Sequence, residues 1–249
     1  MAASQWDSSV EPARYRVVLI SGWAQPSDAV QDLSDAISSW ADVVIVELNH
    51  SEESLLEALN QAINVSCPVI VIGWSLGGTA AIRMLPHLKK VPEALVLIGS
   101  NPCFIGNECW PGVGSELFNE FSRMLEERPE KLLQRFSGLI MLGDPDARQL
   151  TRQARQWHEK VLSWPIEHLS QTLAWLKAWD MRDELADIKV PVLHLLGGLD
   201  RLVPTDELAR LIREQYVDQV VEVVESMGHY PSQTACNELA MHIQRFTGE

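Results

Sequence analysis

No apolar run in this chain of 249 residues is longer than a strand. A helix that crosses a bilayer needs about 20 consecutive apolar residues, so no membrane partner is expected. Cysteine is scarce: Cys67, Cys103, Cys109 and Cys236 form no C-x-x-C pair and no cluster with histidine at ligand spacing. A zinc site, or any other metal site, is therefore not expected. In a chain of this length such cysteines read as reduced thiols of a cytoplasmic protein. Basic residues are also few. Twenty Lys and Arg stand against 34 Asp and Glu, for a net charge of −14, which argues against free nucleic acid as a partner for the surface as a whole. The opening MAASQWDSSVEPAR has neither a basic n-region nor an apolar h-region, so no secretory leader is expected. No internal repeat or low-complexity linker interrupts the chain.

What is present suits one globular domain with room for an inserted cap. Strands are expected at 14–20, 43–48, 69–73, 94–99, 190–196 and 220–224, several of them nearly all apolar. Continuous apolar strands belong to parallel sheets covered on both faces. Helical spacing recurs at 29–40, 52–63, 79–88 and 237–246. This alternation predicts a doubly wound, mostly parallel α/β sheet. It stops between 114 and 187, where four helices are expected at 116–127, 129–142, 146–162 and 165–179. The expected organisation is a core of 14–113 and 188–249, with 114–187 inserted as a helical lid.

Directly after the apolar run Val69-Ile70-Val71-Ile72 comes GWSLGG, Gly73 to Gly78. A G-x-S-x-G between strand and helix is the nucleophile elbow of the α/β-hydrolase fold. A serine hydroxyl is a weak nucleophile at neutral pH, so Ser75 requires a histidine base, an acid to orient it and donors for the oxyanion. In this fold the acid and base follow the serine in chain order. Asp200 lies in GGLDRLVP after one expected strand, and His229 in SMGHYP after the last. Both places are carboxyl ends of strands, where open α/β sheets build their sites. The other candidates fit less well. His50 precedes the serine, His158 and His168 lie in the insertion, His194 is inside a strand, and His87 and His242 end or line helices. Asp144 and Asp180 read as caps or solvated charges. The oxyanion donors are expected to be the amides of Leu76 and Trp23. Trp23 and Trp74 are candidates to wall an acyl pocket, with plain core packing as the alternative. No cofactor is required.

The insertion differs in charge from the rest. Residues 131–160 hold six basic and three acidic side chains. Within 146–162, Ala147, Leu150, Ala154, Trp157 and Val161 recur at helical spacing as a buried stripe. Arg148, Arg152 and Arg155 form a second stripe one position along. In an acidic protein this stripe reads as a docking face for an acidic partner.

These residues resemble a known family. GWSLGG, SNPCFIGNECWPGV (Ser100 to Val113), LDRLVP (Leu199 to Pro204) and RFSGLIMLGDPDARQLTRQAR (Arg135 to Arg155) look like the pimeloyl-acyl carrier protein methyl ester esterases of biotin synthesis, the BioH type. The similarity runs from about Val17 to Phe246. It implies a Ser75–Asp200–His229 triad that cleaves a methyl ester at the far end of a pimeloyl chain held on acyl carrier protein. It also implies carrier docking through Lys131, Arg135, Arg148 and Arg152. The chain departs from the family pattern at three places. Lys131 stands where arginine is usual, Ser21-Gly22-Trp23 replaces H-G-W, and Leu48-Asn49-His50-Ser51 replaces a P-G-F-G loop. The alternatives from the same residues are a general short-chain carboxylesterase or thioesterase, and a non-catalytic binding protein on the hydrolase fold. The oligomeric state is open, with a monomer expected.

Overall fold

The computed structural model describes residues 15–48 and 51–248. Arg14, the expected start of the first strand, and Asn49 and His50, in the shortened loop, lie outside the described residues. Six strands form one sheet: β1 (Tyr15–Ile20), β2 (Ala41–Val46), β3 (Val69–Trp74), β4 (Ala94–Ile98), β5 (Val192–Gly197) and β6 (Val220–Val224). Their order is β2-β1-β3-β4-β5-β6, and every pairing is parallel. The apolar strands behave as parallel strands covered on both faces should: β3, β4 and β5 are buried along their whole length.

The helices that cover the sheet are α1 (Gln31–Ile37), α2 (Glu52–Ala62), α3 (Leu76–Met84), α9 (Thr205–Gln215) and α10 (Gln233–Thr247). Five more lie between β4 and β5: α4 (Ser115–Glu127), α5 (Pro129–Ile140), α6 (Ala147–Leu162), α7 (Ile166–Ala178) and α8 (Arg182–Asp187). Each of α4 and α5 buries one apolar stripe, including Phe118, Phe121 and Leu125 on α4 and Leu133 and Phe136 on α5. No helix among the described residues is long and apolar enough to cross a membrane.

Two helices go beyond the sequence reading. In α9, Leu208 and Ile212 are buried four residues apart after an acidic first turn, a signal that the neighbouring LDRLVP motif overshadowed. The short α8 has only one buried residue, Leu185, too few for a periodic pattern. The helix α3 starts at Leu76 rather than Thr79, because the chain turns into it at once after Ser75. The helix α10 starts at Gln233, four residues earlier than expected, and its first turn already buries Ala235 and Cys236.

The topology sets the position of the site. The strand β1 has β2 on one side and β3 on the other, so the chain reverses its direction of sheet-building there. Ligands of open α/β sheets bind at such a switch point, beyond the carboxyl ends of the strands. The loops after β1 and β3, which carry Trp23 and Ser75, meet at it.

Candidate active site

The turn after β3 holds Ser75 at φ 54, ψ −123. Among the described residues only Ala24 shares a positive φ without being glycine. A side chain held there costs on the order of 1–3 kcal/mol, so the surroundings must enforce it. They do so through three bonds. The Ser75 amide donates to Ile98 O at 2.8 Å and its carbonyl accepts the Gly78 amide at 3.0 Å. The buried Ser100 hydroxyl donates to the same carbonyl at 2.8 Å. The flanking glycines are required by close approach. A Cβ on Gly73 would lie 2.4 Å from Gly78 Cα, and one on Gly77 would lie 2.3 Å from Ile20 O.

The structure brings Ser75, His229 and Asp200 together. Ser75 Oγ is 2.9 Å from His229 Nε2, and His229 Nδ1 is 2.8 Å from Asp200 Oδ2. A carboxylate only accepts, so Nδ1–H donates to Asp200 and Nε2 is left to accept the serine hydroxyl. Asp200 is itself fixed, because its Oδ1 accepts the amides of Leu202 at 2.7 Å and Val203 at 2.9 Å. His229 and Asp200 are buried, while Ser75 is partly exposed. A partly exposed hydroxyl bonded to an imidazole that is itself bonded to a buried carboxylate has the arrangement that can activate a serine as a nucleophile.

The loop after β1 closes on the serine. A Cβ on Gly22 would stand 3.4 Å from the Cβ of Ser75. Among the described residues, the amides of Trp23 and Leu76 have no protein hydrogen-bond partner. Leu76 opens α3, where the free N–H groups and the helix dipole favour negative charge.

Beside Trp23 lies a narrow apolar seam with a free volume of about 10 Å³, lined by Phe118, Phe121, Phe136, Leu139 and Leu202 among others. The Trp23 ring meets Phe136 edge-on at 4.9 Å, and its Nε1 donates to Leu169 O at 3.1 Å. Trp23 therefore joins the β1 loop to α5 and α7 and walls this space. Trp74 does not line it. Its indole is buried and donates to the His229 carbonyl at 2.9 Å, with its ring against Tyr230. Trp74 supports the histidine loop. The larger clefts of the molecule lie elsewhere, around 53–65 with 89–90 and along the β2 edge. They are open and are lined by none of the residues just named.

The remaining candidates have other partners. His194 bonds Oε1 of Gln219, which lies just before β6, His158 bonds Ser137 between α5 and α6, and His242 pairs with Glu222. Burial, with help from the Arg155 charge, holds the His158 pKa below its ordinary value. Asp180 pairs with Arg182. Asp144 accepts the Asp146 amide just ahead of α6, as a cap would, yet it is buried rather than solvated. His50 lies outside the described residues.

Of the basic residues, Lys131, Arg148, Arg152 and Arg155 are exposed. Arg135 is also exposed, but it is committed to Glu120 and stacks over Phe121. None of the other four pairs with a carboxylate among the described residues. Sequence reasoning gave no role to Asn101. Its Oδ1 accepts from Cys103 N and Trp110 Nε1, and its Nδ2 donates to Pro111 O. One buried amide thus closes the whole NPCF…WPG loop. The long spacing between these partners hides this in a linear reading.

Comparison with known proteins gives a consistent picture. Residues 4–241 match the alpha/beta hydrolase family. The chain is 30% identical over 238 residues to a pimeloyl-[acyl-carrier protein] methyl ester esterase from Salmonella newport (strain SL254), covering 91% of each chain. A protein of the same name from Salmonella heidelberg (strain SL476) matches over the same extent. Among solved structures, a bromoperoxidase from Bacillus anthracis superposes with a TM-score of 0.82 at 16% identity, covering 94% of this chain and 92% of that one. An esterase from Exiguobacterium antarcticum superposes with a TM-score of 0.77 at 18% identity over the same shares. At such identities the superpositions speak for the fold alone.

Proposed function

Because this chain belongs to the alpha/beta hydrolase family and matches pimeloyl-[acyl-carrier protein] methyl ester esterases along most of its length, we propose that it is a serine carboxylesterase of biotin synthesis. It hydrolyses the methyl ester of pimeloyl-acyl carrier protein methyl ester and releases methanol. The observation that carries this reading is the unbroken relay from Ser75 Oγ through His229 to Asp200, beside an apolar seam under α4, α5 and α7 that would have to open to admit a methylene chain.

In this reading His229 Nε2 takes the hydroxyl proton as Ser75 Oγ attacks the ester carbonyl carbon. The carbonyl oxygen becomes an oxyanion, held by the amides of Trp23 and Leu76. The tetrahedral species collapses, the bond to the methoxy oxygen breaks, and Nε2–H protonates the departing methanol. Water then attacks the acyl-serine, gives its proton to Nε2, and the regenerated Ser75 hydroxyl leaves with that proton. Asp200 holds the imidazole in its working tautomer throughout. Trp23 carries an oxyanion donor on its backbone and walls the acyl space with its side chain.

The helices between 114 and 187 act as a lid, and the acidic carrier docks on it through Arg148, Arg152 and Arg155 with Lys131 nearby. Arg135 contributes less, since Glu120 already neutralises it. The test is to incubate the protein with pimeloyl-carrier methyl ester and follow loss of the methyl group by mass. Demethylation of the carrier-bound chain at higher kcat/KM than short nitrophenyl esters supports this reading. A preference for the short esters makes the protein a general short-chain carboxylesterase or thioesterase. No turnover on any ester, with Ser75 unlabelled by a fluorophosphonate, makes it a binding protein.

A further inference from the structure

The turn between α5 and α6 touches both loops that carry the acid and the base. Ile140 O accepts the amide of Tyr230, the residue after His229, at 3.2 Å. Gly143, at φ 100, packs so closely on the Asp200 loop that a Cβ there would lie 2.0 Å from Leu199 O. A Cβ on Gly228 would likewise be 3.5 Å from the Asp144 amide. The side chain of Asp144 completes the contact. It is buried, its Oδ2 accepts the Ser232 hydroxyl at 2.7 Å, and its Oδ1 accepts the Asp146 amide at 2.8 Å. Ser232 Oγ also lies 3.0 Å from Thr234 Oγ1. A buried carboxylate is costly unless hydrogen-bonded, so its partners are held firmly. The carboxylate spans two segments, the α5–α6 turn and the chain that follows His229.

We propose that Asp144 is a positioning residue for His229. Its bond to Ser232 fixes the His229 loop against the α5–α6 turn and so keeps the imidazole between Ser75 and Asp200. This rests on the reading of His229 as the base. Trp74 anchors the histidine's own carbonyl from below the site, and Asp144 anchors the loop three residues further on. With the second anchor gone, the loop keeps its fold but the imidazole loses its fixed distance to Ser75. Misplacement by about 1 Å is enough to lower turnover roughly a hundredfold, so even partial loosening is measurable.

The test compares Asp144→Ala, Asp144→Asn and Ser232→Ala on p-nitrophenyl butyrate, with active sites counted by fluorophosphonate labelling of Ser75. Asp144→Ala and Ser232→Ala should each lower kcat per labelled site about tenfold, with KM within about twofold, because the acyl space is untouched. Asp144→Asn should stay within about threefold of the parent: its carbonyl still accepts the Asp146 amide and its NH₂ can donate to Ser232. The double variant Asp144→Ala/Ser232→Ala should be no worse than Asp144→Ala alone, since both remove one bond. A merely structural role would reduce the number of labelled sites and leave kcat per site unchanged. That result, or an Asp144→Asn variant as slow as Asp144→Ala, overturns the proposal. Should Asp144→Ala fail to fold, Ser232→Ala decides alone. A Ser75→Ala control separates the two readings. If it still turns over, the proposed function fails; if it is inactive while Ser232→Ala is normal, only this inference fails.

Discussion

Trp74 donates its indole N–H to the carbonyl of His229 at 2.9 Å, across 155 positions of sequence. Trp74, the residue before Ser75, thus holds the backbone of His229. Its ring lies 6.1 Å from the imidazole and 5.6 Å from the ring of Tyr230. Strand β3 therefore positions two parts of the relay, Ser75 through its terminal turn and His229 through this bond. Trp74→Phe keeps the buried ring but leaves the His229 carbonyl without its donor. It should lower stability by about 1–3 kcal/mol, the cost of an unsatisfied buried group. Turnover of a short nitrophenyl ester should fall more than KM changes. Denaturant midpoints and steady-state kinetics on one preparation check both parts; unchanged kcat would detach Trp74 from the site.

Ser75 sits at φ 54 in a turn that glycine adopts without strain. Ser75→Ala should abolish ester hydrolysis and leave stability close to the parent, because among the described residues the side chain's hydrogen bond in the relay is its only one. Ser75→Gly should be equally inactive but more stable than Ser75→Ala by about 1 kcal/mol, the relief of a left-handed conformation. Thermal midpoints measure the difference. A Gly variant less stable than the Ala variant would mean that the turn is not strained.

Asp200→Asn should fold, since the amide oxygen can still accept from Leu202 and Val203. Its NH₂ would face His229 Nδ1 and favour the tautomer with the proton on Nε2. Turnover should drop by roughly a thousandfold or more. Kinetics on a chromogenic ester check this, and near-normal turnover would remove Asp200 from the acid's role.

Much of this arrangement is legible in the sequence because it is local. The strand before GWSLGG is a block of buried β-branched residues, and the glycines of the elbow are forced by contacts of 2.3–2.4 Å that any side chain would violate. Asp200 and His229 could be placed because each follows its own apolar strand. What escaped reading is long-range. Trp74 looks like any buried aromatic beside a serine, and only the fold shows which carbonyl it reaches. Asp144 reads as a cap because its cap-like bond to Asp146 is local, whereas its bond to Ser232 spans 88 positions. Arg135 looks as free as Arg148 until α4 brings Glu120 beside it.

His194 predicts an acid-sensitive step in stability. It lies fully buried in β5, donates Nε2–H to Gln219 Oε1, and has no partner for Nδ1 among the described residues. Burial pushes its pKa down to about 4, and the Gln219 bond opposes this only weakly. In the unfolded chain the value is about 6.5. Between these values the unfolded state binds the proton and the folded state does not. The stabilisation is thus complete above about pH 6.5 and is lost as pH falls towards 4, to a total on the order of 3 kcal/mol. His194→Leu should cost about 1 kcal/mol at pH 7, where Gln219 Oε1 loses its donor. From pH 7 to 4.5 it should lose less stability than the parent. Denaturant titrations at both pH values decide, and parallel losses would assign the acid sensitivity to other groups.

The final prediction concerns the exposed stripe on α6. Arg148 and Arg152 carry positive charge on an otherwise acidic protein and pair with no carboxylate among the described residues. Replacing both by Glu turns attraction for an acidic carrier into repulsion. The kcat/KM for the carrier-linked methyl ester should fall at least about tenfold at low salt. The loss should shrink as salt rises, because exposed charges are screened over about 8 Å at physiological ionic strength. A small neutral ester should be hydrolysed as before, since it needs the relay and not the stripe. Arg135→Ala is the internal comparison. Its charge is already spent on Glu120, so its effect on the carrier substrate should be smaller than that of Arg148→Ala or Arg152→Ala. All variants are compared on both substrates from the same preparations, so that a disturbed α6 would appear as loss on both. Equal losses on the two esters, or full activity on the carrier-linked ester at low salt, would exclude this stripe as the docking face.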